Sequence, residues 1–182
     1  MSLHQAIARN RALAERHELA WSPALEGQLS AYLHLLLRWN RAINLTGASS
    51  PEELWRDHLI DAVALAAQVP PGSRVVDVGS GGGLPAVPFA LLRPDTTVLM
   101  VEPRARRAAF LRNAVRELGL ASCSVHEGRA ETLTDAEGRP WDFAVSRATL
   151  APPEWLALGR ALVHETGAVA VLAAGTAPAG AE

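Results

Sequence analysis

The chain has 182 residues, of which 49% are hydrophobic and 20% are charged, and this length allows one domain with a substantial core and a smaller attached segment. Seventeen basic and nineteen acidic residues leave a formal net charge of -2, which excludes an overall positive field that would hold a polyanion by charge alone. The seventeen basic residues are all arginine, which excludes the lysine-containing phosphate loop and every mechanism based on a catalytic lysine.

The cysteine count and the hydropathy pattern indicate in which cellular compartment the protein is expected. The single cysteine, Cys123, excludes an internal disulfide and a cysteine zinc cluster, and it is typical of a reducing compartment. No run of about 18 apolar residues predicts a membrane span, and residues 1–11 mix polar side chains among apolar ones, unlike a targeting segment. We therefore expect a soluble, cytoplasmic protein.

Residues 1–69 carry apolar side chains at helical spacing, without strand-like runs. The stretch from Leu29 to Trp39 forms an apolar helix face, and the segment from Asn44 to Gly47 should end that helix. This region is predicted to be an N-terminal helical extension.

A second helix start is visible within this region. Ser50 stands at the N-cap, Pro51 at the first helical position and Glu53 three residues after the cap, which together predict a capping box. We expect the helix to run from there to about Gln68.

Residues 70–174 alternate short apolar runs with helical segments, which is the pattern of βαβ units. The expected strands are Arg74 to Gly79, Thr96 to Glu102, Cys123 to Glu127, Trp141 to Ser146 and Gly167 to Ala173. The expected helices lie near Leu84 to Leu92, Arg104 to Leu118 and Pro153 to His164. This order predicts a Rossmann-like α/β domain with a mostly parallel sheet and helices on both faces, followed by a flexible tail over residues 175–182.

A cluster of glycines follows the first predicted strand. Glycines at a strand-to-helix turn accept positive φ and let a ligand approach the backbone, while the helix start offers unpaired amides to a carboxylate or a phosphate. The dinucleotide fingerprint G-x-G-x-x-G, counted from Gly79, fails at Leu84. The spacing present is D-x-G-x-G-x-G, formed by Asp77, Gly79, Gly81 and Gly83. A tight turn without a ligand is the alternative interpretation.

This glycine spacing resembles motif I of the class I S-adenosylmethionine-dependent methyltransferases. In that fold an acidic residue at the end of the next strand binds the ribose hydroxyls of the cofactor, and Glu102 ends the second predicted strand. The segment Gly128 to Glu131 follows the third predicted strand, where the fold reads the adenine edge with a backbone amide and an acidic side chain. The resemblance implies S-adenosyl-L-methionine as the cofactor.

Further motifs occur together between about residues 25 and 175. They are Leu37-Arg38-Trp39-Asn40-Arg41-Ala42-Ile43-Asn44-Leu45-Thr46, His58-Leu59-Ile60-Asp61, Leu84-Pro85 with Val87-Pro88, Arg106-Arg107 before Phe110-Leu111, and Ser146-Arg147-Ala148. With this set the sequence resembles the bacterial small-subunit ribosomal RNA guanine-N7 methyltransferases, also called glucose-inhibited division protein B. The tryptophan-asparagine segment and the prolines after the loop are far more specific than the glycine loop.

The resemblance implies roles for individual residues. The positions expected to contact the cofactor are Asp77, Gly79, Gly81, Gly83, Leu84, Glu102, Ala130, Glu131 and Arg147. Arg147 would lie beside the reacting methyl group and is the expected catalytic residue. The expected substrate contacts are Asn44, His58, Arg106 and Arg107, and the expected partner is 16S ribosomal RNA or the small ribosomal subunit.

For two groups of these residues, an alternative without a functional role is open. His58 and Asp61 are one helical turn apart and could form a local solvated pair, and the arginines between residues 104 and 116 could form a solvated helix face. The histidines are scattered along the sequence, so no metal site is expected. Guanine N7 carries an in-plane lone pair and no proton, so positioning suffices and no general base is expected.

The chain departs from the family pattern mainly near its C-terminal end. Nine residues follow the predicted fifth strand, where the fold normally adds an antiparallel hairpin, so we expect an open sheet edge through which an oligomer could form. The lysine of the family's Leu-Lys-Gly is missing from Leu172-Ala173-Ala174-Gly175. Two alternatives therefore stay open: a small-molecule methyltransferase, and a non-catalytic S-adenosylmethionine-binding protein that has lost its C-terminal strands.

Overall fold

Helices make up the N-terminal part of the chain. The structure is a computed structural model that describes residues 1–134, 140–147 and 150–172. Its first helices are α1 (Leu3–Arg16), α2 (Pro23–Ile43), α3 (Pro51–Asp57) and α4 (Leu59–Gln68). Helix α2 carries the predicted apolar face and ends in Asn44, whose φ of 50° is left-handed and stops the helix.

The described residues after α4 form a five-stranded parallel sheet, which confirms the predicted α/β architecture. Its strands are β1 (Arg74–Val78), β2 (Thr97–Val101), β3 (Cys123–His126), β4 (Trp141–Arg147) and β5 (Val163–Leu172). They are joined in space in the order β3-β2-β1-β4-β5, and every pair is parallel. The connections include α5 (Ala86–Leu92), α6 (Ala105–Leu118), α7 (Pro152–Leu162) and a short 3-10 helix (Ala130–Thr132).

Alternate strand residues enter two separate cores, as the two-residue period of a strand requires. Val75, Met100 and Val145 pack with residues of α1 to α6 in the larger core. Val76 and Leu99 face the other way and pack with residues of α7 and of the 3-10 helix. The sheet is therefore covered on both faces, and the N-terminal helices share one continuous core with it. The predicted boundary of a separate N-terminal region at residue 69 remains a prediction.

The predicted helix from Pro51 to Gln68 is wrong in one respect, because it breaks at His58. This residue ends α3 and precedes α4 with φ -122° and ψ -36°. Next to the break, the buried Nδ2 of Asn10 in α1 donates to the carbonyl of Trp55 (2.8 Å), a group that an uninterrupted helix would pair with residue 59. A contact between residues 45 positions apart thus accompanies the break, and the local sequence around His58 could not predict that contact.

The predicted capping box is confirmed only in its first half. The amide of Glu53 donates to the Ser50 hydroxyl (3.2 Å), as the N-cap pattern requires. The Glu53 carboxylate, however, accepts from the amide of Ser49 (2.6 Å) instead of completing a box with Ser50. The carboxylate therefore reaches one residue further back than predicted.

Strand β5 starts earlier than predicted, at Val163 instead of Gly167, and α7 ends at Leu162. Val163 pairs with Trp141 in β4, and the register then shifts before the regular pairing resumes. Glycine at position 167 permits this bulge, because a Cβ there would lie 2.7 Å from Cβ of Val163. Residues 173–182 lie outside the described residues. They include Ala173, the predicted end of the fifth strand, as well as Gly175 and the rest of the predicted tail.

Candidate active site

A cavity of about 480 Å³ lies at the carboxyl ends of the strands, where the strand order reverses between β1 and β4. In open α/β sheets this reversal is the position at which ligands bind. Its walls combine the glycine loop after β1, the turn after β2 and the ends of β4 and β5 with residues from the N-terminal helical part. The lining residues are Leu45, Thr46, His58, Gly79, Ser80, Gly81, Gly82, Leu84, Glu102, Pro103, Arg104, Arg107, Arg147 and Leu172.

The glycine loop follows a path that side chains would obstruct. Gly79, Gly81 and Gly83 have φ values of 74°, 55° and 78°, in the left-handed region that favours glycine. A Cβ at Gly83 would also lie 2.7 Å from Cγ2 of Val87. The amides of Gly79 and Ser80 donate to the carbonyl of Val101 at the end of β2 (2.8 and 3.1 Å). The loop is thereby anchored to the neighbouring strand.

Glu102 connects this loop to the turn after β2. Its side chain is buried, one carboxylate oxygen accepts from the amide of Gly81 (2.9 Å), and the other accepts from the amide of Arg104 (2.9 Å). A carboxylate has about four acceptor positions, so two remain after these bonds. Glu102 can therefore accept hydrogen bonds from the hydroxyl groups of a ligand in the cavity while it holds the backbone of the glycine loop and of the turn after β2.

Asp77 lies beneath the glycine loop and does not line the cavity. It is on the same strand face as Val75, the face covered by α2, and it is 1% exposed. Burial, together with the nearby negative charge of Glu102, raises the pKa of the Asp77 carboxyl to about 7, although a hydrogen bond with Ser80 acts in the opposite direction. Its Oδ2 atom is buried without a hydrogen-bond partner, which marks it as an acceptor that is not satisfied within the described residues.

Arg147, at the end of β4, lies close to Asp61 and acts electrostatically on His58, both in the N-terminal helical part. Its Nε is 3.4 Å from Oδ2 of Asp61 in α4. Burial raises the pKa of the Asp61 carboxyl, and the charge of Arg147 partly offsets this. Burial, together with the charge of Arg147, lowers the pKa of His58 to about 4. His58 is therefore neutral at physiological pH, and its buried Nδ1 has no hydrogen-bond partner among the residues that the structure describes.

A loop from the N-terminal part forms another wall of the cavity. The Asn40 side chain accepts from the amides of Leu45 and Thr46 (2.6 and 2.9 Å) and donates to the carbonyl of Thr46 (2.9 Å). Arg107 in α6 donates to the carbonyl of Asn44 (2.9 Å). The tryptophan-asparagine motif thus holds a loop against the cavity, and Arg107 bridges that loop to the α/β part.

Seven of the predicted site residues come together around the cavity. They are His58, Gly79, Gly81, Leu84, Glu102, Arg107 and Arg147. Asp77 lies beneath the loop, Gly83 belongs to the loop but is outside the lining, and Asn44 contributes its carbonyl to Arg107. Arg106 is exposed and outside the lining.

Ala130 and Glu131 are also outside this lining. They belong to the 3-10 helix after β3, in which Ala130 is buried and Glu131 is exposed. Their predicted role at the cofactor stays a prediction.

Sequence reasoning missed seven lining residues: Leu45, Thr46, Ser80, Gly82, Pro103, Arg104 and Leu172. For most of them a signal existed, because Ser80 and Gly82 lie inside the glycine loop, and Pro103 and Arg104 follow Glu102 directly. Thr46 belongs to the tryptophan-asparagine motif. The contribution of Leu172 depends on the length of β5, which the sequence pattern does not specify.

Comparison with known proteins decides the family. The sequence matches the family described as rRNA small subunit methyltransferase G over residues 25–178. The chain belongs to this family. The predicted resemblance is thereby confirmed, and the matched range includes the helical wall of the cavity as well as the glycine loop.

Curated relatives in the methyltransferase G family include proteins from two bacteria, both named Ribosomal RNA small subunit methyltransferase G. The protein from Azoarcus sp. (strain BH72) is 36% identical over 146 residues, which cover 80% of this chain and 68% of the relative. The protein from Xylella fastidiosa (strain M23) is 47% identical over 108 residues, which cover 59% of this chain and 50% of the relative. The matched part of the chain thus spans between half and about two thirds of these relatives.

Solved structures resemble the methyltransferase G fold found here. One is a SAM-dependent methyltransferase from Geobacter sulfurreducens, solved in complex with S-adenosyl-L-homocysteine, with a TM-score of 0.56 and 17% sequence identity over 76% of this chain and 54% of that chain. At this identity the likeness concerns the fold alone. It confirms the predicted class I methyltransferase fold with a Rossmann-like sheet.

Two further findings are limited to the part of the chain that the structure describes. No group of three or more His, Cys, Asp or Glu side chains there could hold a metal ion. None of the helices described is both long and apolar enough to cross a membrane.

Proposed function

We propose that the chain is an S-adenosyl-L-methionine-dependent methyltransferase that modifies N7 of a guanine in 16S ribosomal RNA. One observation carries the proposal: the carboxylate of Glu102 holds the amide of Gly81 at the wall of a cavity located at the strand-order reversal. This arrangement couples a glycine loop to an acidic residue, as binding of a nucleoside with a free ribose requires. The family to which the chain belongs supplies the reaction class.

The residues present fit the cofactor. The backbone of Gly79 and Gly81 borders the cavity without side chains, so a ligand can approach it closely. Glu102 keeps acceptor positions for ribose hydroxyls, while Leu84 offers apolar contact in the same wall. When bound, S-adenosyl-L-methionine supplies an electrophilic methyl group on a sulfonium. Arg147 in the lining, with Ala130 and Glu131 after β3, completes the proposed cofactor contacts. Asp77 and Gly83 lie outside the lining, so their proposed role is to support the loop and not to contact the cofactor.

The proposed acceptor requires little acid-base chemistry from the protein. Guanine N7 presents its lone pair without losing a proton, so orientation and exclusion of water are sufficient. His58 and Arg147 line the cavity near each other, the first neutral and the second cationic. We assign the substrate side of the cavity to these residues, because an imidazole and a guanidinium can hydrogen-bond the edge of a purine.

Contact with RNA is assigned to arginines at the cavity mouth. Arg104 and Arg107 line the cavity, and Arg106 is exposed beside them at the start of α6. The first turn of α6 contains no acidic residue, so these cations form a local positive surface on a chain of net charge -2. Such a surface suits phosphates of a structured RNA.

The biological setting follows from this assignment. The inferred partner is 16S ribosomal RNA or the small ribosomal subunit, and the inferred location is the cytoplasm. Strand β5 is an edge of the described sheet, and we infer that an oligomer, if formed, would use this edge.

Calorimetric titration with S-adenosylhomocysteine tests the cofactor half of the proposal. We expect micromolar binding that Gly79→Asp abolishes, since an aspartate at a φ of 74° would both strain the loop and place a charge in the cavity wall. Gly119→Asp is the matched control, because Gly119 also has a positive φ (65°) but ends α6 with no atom of the described residues within 4 Å of its missing Cβ. Absence of binding by the folded wild-type chain would overturn the cofactor assignment.

Transfer of a labelled methyl group tests the acceptor half. Small-subunit RNA that lacks the modification should gain label at a guanine N7, and the label should disappear with Gly79→Asp. Label found only on small molecules would favour the alternative of a small-molecule methyltransferase. Binding of S-adenosylhomocysteine with no transfer to any acceptor would favour the non-catalytic alternative.

A further inference from the structure

The glycine loop rests on helix α2, a contact that extends the cofactor site into the N-terminal helices. The Tyr32 side chain in α2 is fully buried, and its hydroxyl donates to the carbonyl of Gly82 (2.6 Å). The loop and the helix are close-packed at this point. A Cβ at Gly82 would lie 2.9 Å from Cδ1 of Leu36 and 3.2 Å from the carbonyl oxygen of Leu45.

The Tyr32 hydroxyl is a permanent donor in this contact. Burial and the nearby charge of Asp77 raise the pKa of Tyr32 well above its ordinary value, although Arg147 acts in the opposite direction. The hydroxyl therefore keeps its proton across the physiological range. A buried carbonyl without a donor is costly, so the orientation of the Gly82 peptide depends on this proton.

The orientation matters because the same peptide borders the cavity. Gly82 is one of the lining residues, whereas Tyr32 is buried on the helix side of the loop. The bond therefore turns the Gly82 carbonyl toward α2 and away from the cavity. A carbonyl oxygen turned into the cavity would repel the carboxylate that the amino-acid part of S-adenosylmethionine carries.

We propose that Tyr32 is a positioning residue for the cofactor: its hydroxyl fixes the Gly82 peptide and makes helix α2 part of the cofactor site. This inference rests on the proposed function. Tyr32 does not contact the reacting atoms, so its effect is on the affinity for the cofactor and not on the methyl-transfer step itself.

The test compares Tyr32→Phe with the wild type, because phenylalanine keeps the buried ring and removes only the hydroxyl. We expect the Kd for S-adenosylhomocysteine to rise about tenfold, as loss of a donor to a buried carbonyl predicts. The KM for S-adenosylmethionine should rise in parallel, while kcat at saturating cofactor changes less than about twofold. This division separates positioning of the cofactor from general damage to the fold.

Leu25→Val is the matched control. Leu25 is a buried residue of the same helix, two turns before Tyr32 and outside the cavity lining. This variant should lose stability without a change in Kd. Gly82→Ala is a second variant, for the case in which Tyr32→Phe folds poorly. Its Cβ would press against Leu36 and Leu45, and the resulting shift of the Gly82 peptide should also raise the Kd for S-adenosylhomocysteine.

The outcomes separate the two proposals. Binding by the wild type with an unchanged Kd in Tyr32→Phe and Gly82→Ala would overturn the positioning role and leave the proposed function intact. An equal loss of affinity in Leu25→Val would also overturn it, because destabilisation would then explain the effect. A folded wild type that binds no S-adenosylhomocysteine would overturn the proposed function together with this inference.

Discussion

Arg147, which lines the cavity at the end of β4, pairs with Asp61 in α4, with Nε of the arginine 3.4 Å from Oδ2 of the aspartate. The two residues are 24% and 30% exposed, so the pair is partly shielded from water. It joins the expected catalytic residue to the N-terminal helices. We infer that Asp61 orients Arg147 toward the cavity.

The first prediction concerns this orientation. Asp61→Asn removes the charge that faces Arg147 and should lower kcat about tenfold, since an arginine misplaced by a fraction of an ångström no longer aligns the substrate. Its effect on the free energy of unfolding should be within about 1 kcal/mol, as for other partly exposed ion pairs. Methyl transfer measured at saturating cofactor, together with urea unfolding, tests both statements.

Asp57→Asn is the control for Asp61→Asn, because Asp57 pairs with Arg56 at the surface (2.6 Å). It should leave kcat unchanged. If both variants behave alike, the relation between Asp61 and Arg147 has no special role.

The second prediction concerns Glu102. In Glu102→Gln, one side-chain oxygen remains to accept from the backbone amides of both Gly81 and Arg104. The NH₂ group that replaces the other oxygen is a donor, and it would face a backbone N–H, which is also a donor. We expect the Kd for S-adenosylhomocysteine to rise between about tenfold and a hundredfold, the range for hydrogen bonds to a charged group. Glu127→Gln, which loses only a surface contact with Arg112, should bind like the wild type.

The third prediction concerns the pH dependence of stability. Burial and Arg147 depress the pKa of His58 to about 4 in the folded chain, below the ordinary value of 6.5. A histidine with a depressed pKa stabilises the fold above the unfolded pKa, and this stabilisation is lost as the pH falls from about 6.5 toward 4. The wild type should therefore lose stability in this window, and His58→Gln should lose less of it.

Urea unfolding at pH 7 and at pH 5 measures this difference. His34→Gln is the control, because His34 is an exposed residue whose ring contacts the carbonyl of Ser30 in its own helix. Its loss of stability between the two pH values should match that of the wild type. If His58→Gln loses as much stability between pH 7 and pH 5 as the wild type does, this result would contradict the depressed pKa of His58.

The fourth prediction concerns the arginines of α6. Arg106→Gln should weaken binding to small-subunit RNA to a similar extent for different sequences and reduce the slope of log K against log salt by about 1, the expected change for one lost phosphate contact. The Kd for S-adenosylhomocysteine should not change, because Arg106 lies outside the cavity lining. Arg112→Gln, on the same helix but paired with Glu127, should leave the salt slope as it is.

Much of the fold was predictable because its signals are local. The run from Val75 to Val78, followed by glycines at alternate positions, predicts a buried strand and a loop with positive φ, and the structure has both. The acidic residue at the end of β2 was predictable from its spacing, and Glu102 indeed lines the cavity. The break at His58 and the early start of β5 were not predictable in this way.

Those two deviations share a physical cause. The break at His58 is accompanied by a hydrogen bond from Asn10, 45 residues away from Trp55, and the early start of β5 involves pairing of Val163 with Trp141. Tertiary partners can override local propensity, because a satisfied buried polar group or a strand pairing outweighs a few tenths of a kcal/mol of preference.

The sequence by itself determined the N-terminal helical region, the order of the five strands, the glycine loop and the family, because each depends on the identity and spacing of neighbouring residues. Only the tertiary structure decided that Tyr32 supports Gly82 and that Arg107 reaches the carbonyl of Asn44, contacts that join residues 50 and 63 positions apart. Such contacts depend on how α2 packs against the sheet, and packing is a property of the whole core rather than of any segment.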